Sequence, residues 1–294
     1  MATPLADLRG KSCMITGASS GLGRITALEL ARMGAALTLV CRDRLRGEKV
    51  IAEIRRQTGN QAKLMLADLS VQQSIRTLAS DFLARGEPLH ILVNNAGLFN
   101  LKRELTADGR ETVFAVNHLS YFMLTMLLLD RIKQSAPARI VNVASAAHLW
   151  GRIDFDDLEG ARRYRSRQSY GQSKLANILF TYELARRLAG TGVTVNCAHP
   201  GAVATGLGAN NGALAKLLMP LIGLFMRSPE QGAATQIYLA ASPEVEGISG
   251  KYFIDCKAGQ SSPESYDTGV ARRLWEVSAR MTGVAAQSGD MLDA

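Results

Sequence analysis

Short apolar runs recur along this chain, separated by longer stretches of helical spacing. That alternation limits the fold more than any other feature. The runs are CMIT (13–16), ALTLVC (36–41), AKLMLA (62–67), LHILVNN (89–95), ARIVNVAS (138–145), VTVNCAH (193–199) and KYFID (251–255). Between them lie helical patterns such as Leu22, Ile25, Leu28 and Ala31, or Ile178, Leu179, Tyr182 and Leu184. Strands regularly separated by helices make a parallel sheet covered on both faces. Right-handed crossovers then leave a doubly wound, Rossmann-type α/β sheet of about seven strands as the economical topology. No Pro/Ser-rich linker divides the pattern, so all 294 residues read as one domain.

Three stretches break the alternation: a polar connection at 146–167, an apolar helix-prone insertion at 206–227, and a loop at 256–266. Each follows the carboxyl end of a strand, where ligands bind in open α/β sheets. The tail after about residue 284 reads as disordered.

The first strand runs into TGASSGLG (16–23), which opens a helix. Gly17 permits the tight turn, Gly21 lets backbone approach a pyrophosphate, and Gly23 allows close helix packing. Ser19, Ser20 and Leu22 complete a turn whose free amides can meet an anion. The domain is therefore expected to be dinucleotide-binding and catalytic. In such folds an acid at the end of the second strand holds the ribose hydroxyls. Here Cys41 stands in that place and Arg42 follows it. A carboxylate would repel a 2′-phosphate, whereas a guanidinium binds it in a fork. The expected cofactor is therefore NADP(H), with Arg24 as a second positive charge. The alternative leaves Arg42 paired with Asp43 or in solvent. Asn95, Ala96 and Gly97, in NNAG (94–97), let backbone lie against a ribose. Asp68, followed by Leu69, ends the third strand, to accept from an adenine amino group or to cap a helix.

Tyr170 and Lys174, in SYGQSK, share a helix face because four residues make about one turn. A free tyrosine with a pKa near 10 is a poor base at neutral pH. A lysine cation beside it, together with an oxidised nicotinamide, would favour the phenolate. Ser145 can donate to a substrate oxygen. Asn117 is a polar residue in an otherwise apolar helix. His148, three residues after Ser145, is a candidate for lining the substrate pocket, with a loop role as the alternative. His90, His118 and His199 read as structural. No cluster has metal-ligand spacing, so no metal is expected.

Composition closes off other classes. The four cysteines lack CxxC spacing and suit reduced, buried thiols in a cytoplasmic protein. The opening residues lack the apolar run of a signal peptide, and no unbroken stretch of about 18 apolar residues suggests a spanning helix. Net charge is +8, but the basic residues fall at helix ends and exposed faces without interleaved aromatics. Nucleic acid is therefore not an expected partner.

The chain resembles the short-chain dehydrogenase/reductase family over about residues 10–255. Within that family it is similar to the retinol dehydrogenase-like branch to about residue 282. The likeness rests on VCRD (40–43), VNHLSYF (116–122), RIVNVAS (139–145), SKLANILFT (173–181) and RRLWEVS (272–278). The resemblance implies that Asn117, Ser145, Tyr170 and Lys174 form a catalytic tetrad. Asn117 would hold a water relay to Lys174, and Lys174 would also bond the nicotinamide ribose. PGAVAT (200–205) matches a nicotinamide-contacting turn, which carries Pro200, Gly201, Val203 and Thr205 over as cofactor residues. The resemblance also implies a homodimer or homotetramer. Ser145 and Tyr170 stand 25 residues apart, a longer connection than the family at large has but typical of this branch. The opening residues carry no apolar run like the amino-terminal anchor of several microsomal relatives, so no such anchor is expected.

The combined expectation is an NADP(H)-dependent oxidoreductase between a hydroxyl and an aldehyde or ketone. Ser145, His148 and Tyr170 would face the substrate. Segment 206–227, with Leu214, Leu217, Leu218, Leu221, Leu224 and Phe225 at helical spacing, would cover it as a lid. Such a lid suits an apolar carbonyl or alcohol, and weak contact with a membrane surface is an alternative use of the same stripe. C=C reduction of an enone, or a non-catalytic NADP(H) sensor, are the other readings.

Overall fold

The computed structural model of the chain describes residues 6–201, 203 and 227–285. The 206–226 part of the expected lid, Thr205 and the tail beyond residue 285 lie outside the described residues. Eight strands are present among them: β1 (Ser12–Thr16), β2 (Ala36–Cys41), β3 (Lys63–Leu66), β4 (Ile91–Asn94), β5 (Ala138–Val143), β6 (Val193–His199), β7 (Tyr252–Ile254) and β8 (Lys257–Gly259). They form one sheet in the order β3-β2-β1-β4-β5-β6-β7-β8. The first seven are parallel, as β1 pairing with both β2 and β4 illustrates. The eighth returns antiparallel to β7.

That last strand corrects the expected count of about seven. It lies inside the stretch read as a loop at 256–266. Asp255 and Cys256 turn the chain with φ of 52° and 61°. Two positive φ values are what a tight two-residue hairpin requires, and Asn-Gly is the usual sequence for it. Asp-Cys carries no such signal, so the hairpin was hidden.

Side chains alternate between the two faces of the sheet, as strand geometry demands. Cys13, Ile15, Leu37, Leu39 and Val93 pack with helices α1 (Gly21–Arg32), α2 (Arg44–Thr58) and a later helix, Pro229–Ala241. Met14, Val40, Met65, Leu92, Ile140 and Val195 pack on the other face with α3 (Gln72–Ala84), α4 (Thr112–Gln134), α5 (Ser166–Arg187) and the last helix, Thr268–Thr282. In chain order Pro229–Ala241 is α6 and Thr268–Thr282 is α7. Local signals set the ends of these helices. Asp43 caps α2 by accepting from Arg46 N at 3.0 Å. Ser228 and Gln231 form a reciprocal capping box on α6.

Helix α4 is long and apolar enough to cross a membrane, with a mean hydropathy of 1.6 over its best window. It is not an unbroken apolar run, because Asn117, His118 and Ser120 interrupt it. The window is 89% buried against the sheet and neighbouring helices, as a core helix is. Cys13, Cys41, Cys197 and Cys256 are all free thiols, the first three buried.

Candidate active site

The strand order reverses between β1 and β4, so the loops leaving these strands part there and open a crevice. A cleft of about 630 Å³ lies at this point. Gly17, Ser19, Ser20, Gly21 and Leu22 line it from the glycine turn, and Asn95, Ala96 and Gly97 from the end of β4. Arg42 enters from β2, and Asp68 and Leu69 from β3.

The turn is built by close approach. Gly17 has φ of +66°, and a Cβ there would stand 2.8 Å from Ala96 Cα. A Cβ on Gly23 would meet Asn95 Nδ2 at 2.6 Å and the Gly17 carbonyl oxygen more closely still. Asn95 fastens the turn from the other side, donating from Nδ2 to Thr16 O at 2.9 Å. The Thr16 hydroxyl accepts from the Asn95 and Ala96 amides at 2.9 and 3.1 Å. Ser20, the N-cap residue of α1, makes no side-chain cap hydrogen bond. The first-turn amides of α1 are thus left for another acceptor, which suits an anion such as a pyrophosphate.

At the end of β2 the Cys41 thiol is buried and hydrogen-bonded by Ala18 and Ser19, and burial pushes its pKa up to about 11. Arg42 is exposed and has no ion pair among the described residues. Arg24 departs from expectation. Its Nε donates to Glu53 Oε2 at 2.7 Å and its Nη2 to the other carboxylate oxygen, so α2 neutralises its charge. The positive residue that joins Arg42 on the cleft wall is Arg46, in the first turn of α2. From sequence Arg46 looked like one more solvated cation; its spacing of four from Arg42 was the available clue. Asp68 caps no helix, since Val71 is the N-cap residue of α3. The Asp68 carboxylate instead accepts from Ser70 N and Oγ, at 2.9 and 2.7 Å.

Helix α5 supplies Tyr170 and Lys174. The Lys174 ammonium is buried, donates to Val143 O at 3.0 Å, and stands 3.7 Å from where a Gly97 Cβ would be. Gly97 thus joins the cleft wall to Lys174. Burial pulls the Lys174 pKa down to about 7 and pushes the Tyr170 phenol up to about 12. The Ser145 hydroxyl hydrogen-bonds the phenol and opposes that rise. Among protein groups desolvation sets the direction for Tyr170; the expected lowering joins Lys174 to an oxidised nicotinamide. The Phe99 ring stands edge-on to Tyr170 at 5.6 Å.

Asn117 lies in a π-helical turn of α4, Ala115–Leu119. Its Oδ1 accepts from Leu98 N at 2.8 Å, while Nδ2 donates to Leu98 O and Ser173 Oγ, both at 3.0 Å. Both ends of this side-chain amide are engaged by the protein. It holds the chain after β4 against α5. Leu98, Thr112 and Val116, not expected from sequence, line the cleft beside it.

His148 also departs from expectation. Its Nδ1 donates to Ser145 O at 2.7 Å and its Nε2 accepts from Ser262 N at 3.0 Å. With the ring buried and both nitrogens engaged, it has none left for a substrate. The other histidines are structural as expected. The buried His118 bonds Ser278 Oγ at 2.9 Å, and burial pulls its pKa down to about 4. His199 accepts from Ala146 N at 3.2 Å and His90 from Ser12 N at 3.1 Å. Pro200 and Gly201 leave β6 on the same rim, and Val203 bridges to Arg227. A Cβ on Gly232 of α6 would touch both Val203 and Leu22, so the turn after β6 meets the glycine turn through α6. No group of three His, Cys, Asp or Glu side chains that could hold a metal occurs among the described residues.

A family model described as short chain dehydrogenase matches residues 11–214. The chain is 49% identical to retinol dehydrogenase 12 of Mus musculus, over 96% of this chain and 89% of that protein. It is 46% identical to retinol dehydrogenase 14 of Homo sapiens, over 94% and 88%. Among solved structures, an uncharacterized protein from Mycobacterium paratuberculosis superposes with a TM-score of 0.77 at 33% identity, over 95% of this chain and 96% of that one. The RhlG/NADP active-site complex of Pseudomonas aeruginosa superposes with a TM-score of 0.68 at 26% identity, over 85% and 96%.

Proposed function

This chain belongs to the short chain dehydrogenase family, in its retinol dehydrogenase-like group, and we propose that it interconverts an alcohol with an aldehyde or ketone using NADP(H). One observation carries the reading. The Tyr170 phenol, the Ser145 hydroxyl and the Lys174 ammonium converge where Gly97 closes the dinucleotide-sized cleft.

The residues present suit the cofactor. The uncapped start of α1 would take the pyrophosphate, and Gly17 and Gly23 leave room for backbone to approach it. Arg42 and Arg46 would hold a 2′-phosphate that Cys41, unlike a carboxylate, does not repel. The nicotinamide supplies the hydride chemistry when bound. Tyr170 gives its proton to the substrate oxygen in reduction and removes it in oxidation. Ser145 receives Ala147 N on its oxygen at 3.2 Å, which leaves its own proton for the substrate oxygen. Lys174 lends positive charge to the phenolate form and would bond the nicotinamide ribose. Asn117 keeps Leu98 and Ser173, and through them the walls of the site, in place.

An apolar substrate, retinal-like or a long-chain aldehyde, is favoured by the Phe99 ring beside Tyr170 and by the Leu/Met-rich composition of 206–227. The test is NADPH oxidation with retinal, decanal, small ketones and an enone. Turnover of the aldehydes to alcohols supports the reading. NADPH binding with no turnover across the panel would make the chain a sensor, and saturation of the enone double bond would make it a C=C reductase. We further propose a cytoplasmic location, on the strength of its free, mostly buried thiols; recovery from cells only in the membrane pellet would overturn it.

A further inference from the structure

Ser145 and Tyr170 are 25 residues apart in sequence, so local chain geometry cannot set their approach. We propose that His148, together with the Ser262 amide, is a positioning residue that locks the Ser145 turn with the serine hydroxyl facing Tyr170. The kinetic consequence rests on the oxidoreductase reading above; the clamp itself does not.

The 3₁₀ turn Ala146–Trp150 follows Ser145 directly. Its first carbonyl, Ser145 O, takes two donors from one residue, His148 N at 3.1 Å and His148 Nδ1 at 2.7 Å. The other ring nitrogen accepts from Ser262 N at 3.0 Å. A single neutral tautomer, protonated on Nδ1, satisfies both bonds. The Tyr252 ring packs edge-on against the imidazole at 5.1 Å and limits its rotation. The ring is 2% exposed, so water does not compete for either nitrogen.

Ser262 is delivered from 114 residues away by the β7–β8 hairpin. Its loop is held firm by hydroxyls: Tyr182 to Ser261 at 2.7 Å, Ser261 to Ser265 at 2.6 Å, and Ser265 to Ser262 O at 2.6 Å. The far end of the Ser145 turn is held by a different device. A Cβ on Gly171, next to Tyr170, would stand 2.7 Å from Ala147 O and 3.0 Å from Gly151 N. The turn therefore abuts α5 at the catalytic tyrosine's neighbour, while His148 pins its start. With both nitrogens engaged on backbone, His148 serves the site through Ser145.

Two variants test this. Ser262→Pro removes the amide donor and sets the proline Cδ against His148 Nε2, so it breaks the clamp from the hairpin side; Ser262 has φ of −61°, which proline adopts, and its hydroxyl has no hydrogen-bond partner among the described residues. His148→Gln keeps an acceptor near the Nε2 position and loses the donor to Ser145 O. Hydrogen exchange is followed on the peptide spanning 145–151, with kcat and KM for decanal and fluorescence titration of NADPH. Exchange in 145–151 should speed up in both variants. The kcat should fall about 10- to 100-fold, as for an ångström-scale misplacement, with NADPH affinity and KM within about twofold of wild type. Unchanged exchange or unchanged kcat in both variants overturns the proposal. Equal losses of kcat and NADPH affinity also overturn it, because they mark general damage. If the wild-type protein turns over no carbonyl at all, the function reading fails and the exchange data alone decide the clamp.

Discussion

Lys174 Nζ stands 5.6 Å from the centre of the Tyr170 ring, and burial drives the two groups toward their neutral forms together. The phenol rises to about 12 and the ammonium falls to about 7. A positively charged nicotinamide ring beside Tyr170 would favour the phenolate that burial disfavours.

The first prediction concerns this pair and pH. Between a folded value near 7 and an unfolded value near 10.5, the unfolded chain holds more protons on Lys174, so stability rises with pH across that window. Below about pH 7 the full penalty of burying the cation is present. Lys174→Met removes it. The Tm of the variant relative to wild type should be most favourable at pH 6.5 and lose that advantage steadily toward pH 9.5. A difference independent of pH would show that the ammonium titrates as an exposed one does.

Turnover separates Tyr170 from its neighbours. Tyr170→Phe keeps the ring against Phe99 and removes the proton carrier. Carbonyl reduction should fall by about 10²-fold or more while NADPH still binds. Near-normal turnover would take Tyr170 out of the proton-transfer role.

Gly23 offers a stability test without kinetics. A methyl group there would drive into the Gly17 carbonyl and come within 2.6 Å of Asn95 Nδ2, both fixed parts of the turn. Gly23→Ala should destabilise by about 1–3 kcal/mol through overpacking and abolish detectable NADPH binding. A denaturant midpoint within error of wild type would mean that the turn can relax.

The strand and helix alternation was legible because buried parallel strands leave uninterrupted apolar runs, and the glycine turn because its spacing reflects sterics. The partners of long polar side chains were not legible. Arg24 looked like a free cation until Glu53, 29 residues on, was found beside it. His148 looked like a substrate contact because Ser262 is 114 residues away. The hairpin at Asp255 and Cys256 escaped because neither residue advertises a positive φ. In each case the deciding partner came from tertiary packing, which periodicity along one segment does not encode.

Arg42 is the residue on which cofactor choice should turn. It is exposed on the cleft wall with no carboxylate bound to it among the described residues, and Arg46, in the first turn of α2, lines the same wall. NADPH should bind at least about tenfold more tightly than NADH, equivalent to about 1.4 kcal/mol. Arg42→Ala should weaken NADPH and leave NADH almost unchanged, and Arg46→Ala should do so more weakly because Asp43 lies 3.6 Å from its Nε. Equal losses for both nucleotides would assign Arg42 to the fold.

The last prediction concerns the size and polarity of the substrate. The Phe99 ring stands edge-on to Tyr170, and the sequence between Val203 and Arg227 carries Leu214, Leu217, Leu218, Leu221, Leu224 and Phe225 with only Lys216 charged. A surface of this kind gains roughly 0.8 kcal/mol for each methylene it removes from water. Binding strength, and with it kcat/KM, should therefore climb about three- to fourfold per added methylene until the aldehyde outgrows the site. Leu217→Asp and Phe225→Asp should each flatten that slope while leaving the kcat/KM of the shortest aldehyde near wild type. A slope that survives both substitutions would move the apolar contact to Phe99 and the rim beside it. Short polar carbonyls ranking above long aldehydes would show that the site is built for a different class of substrate.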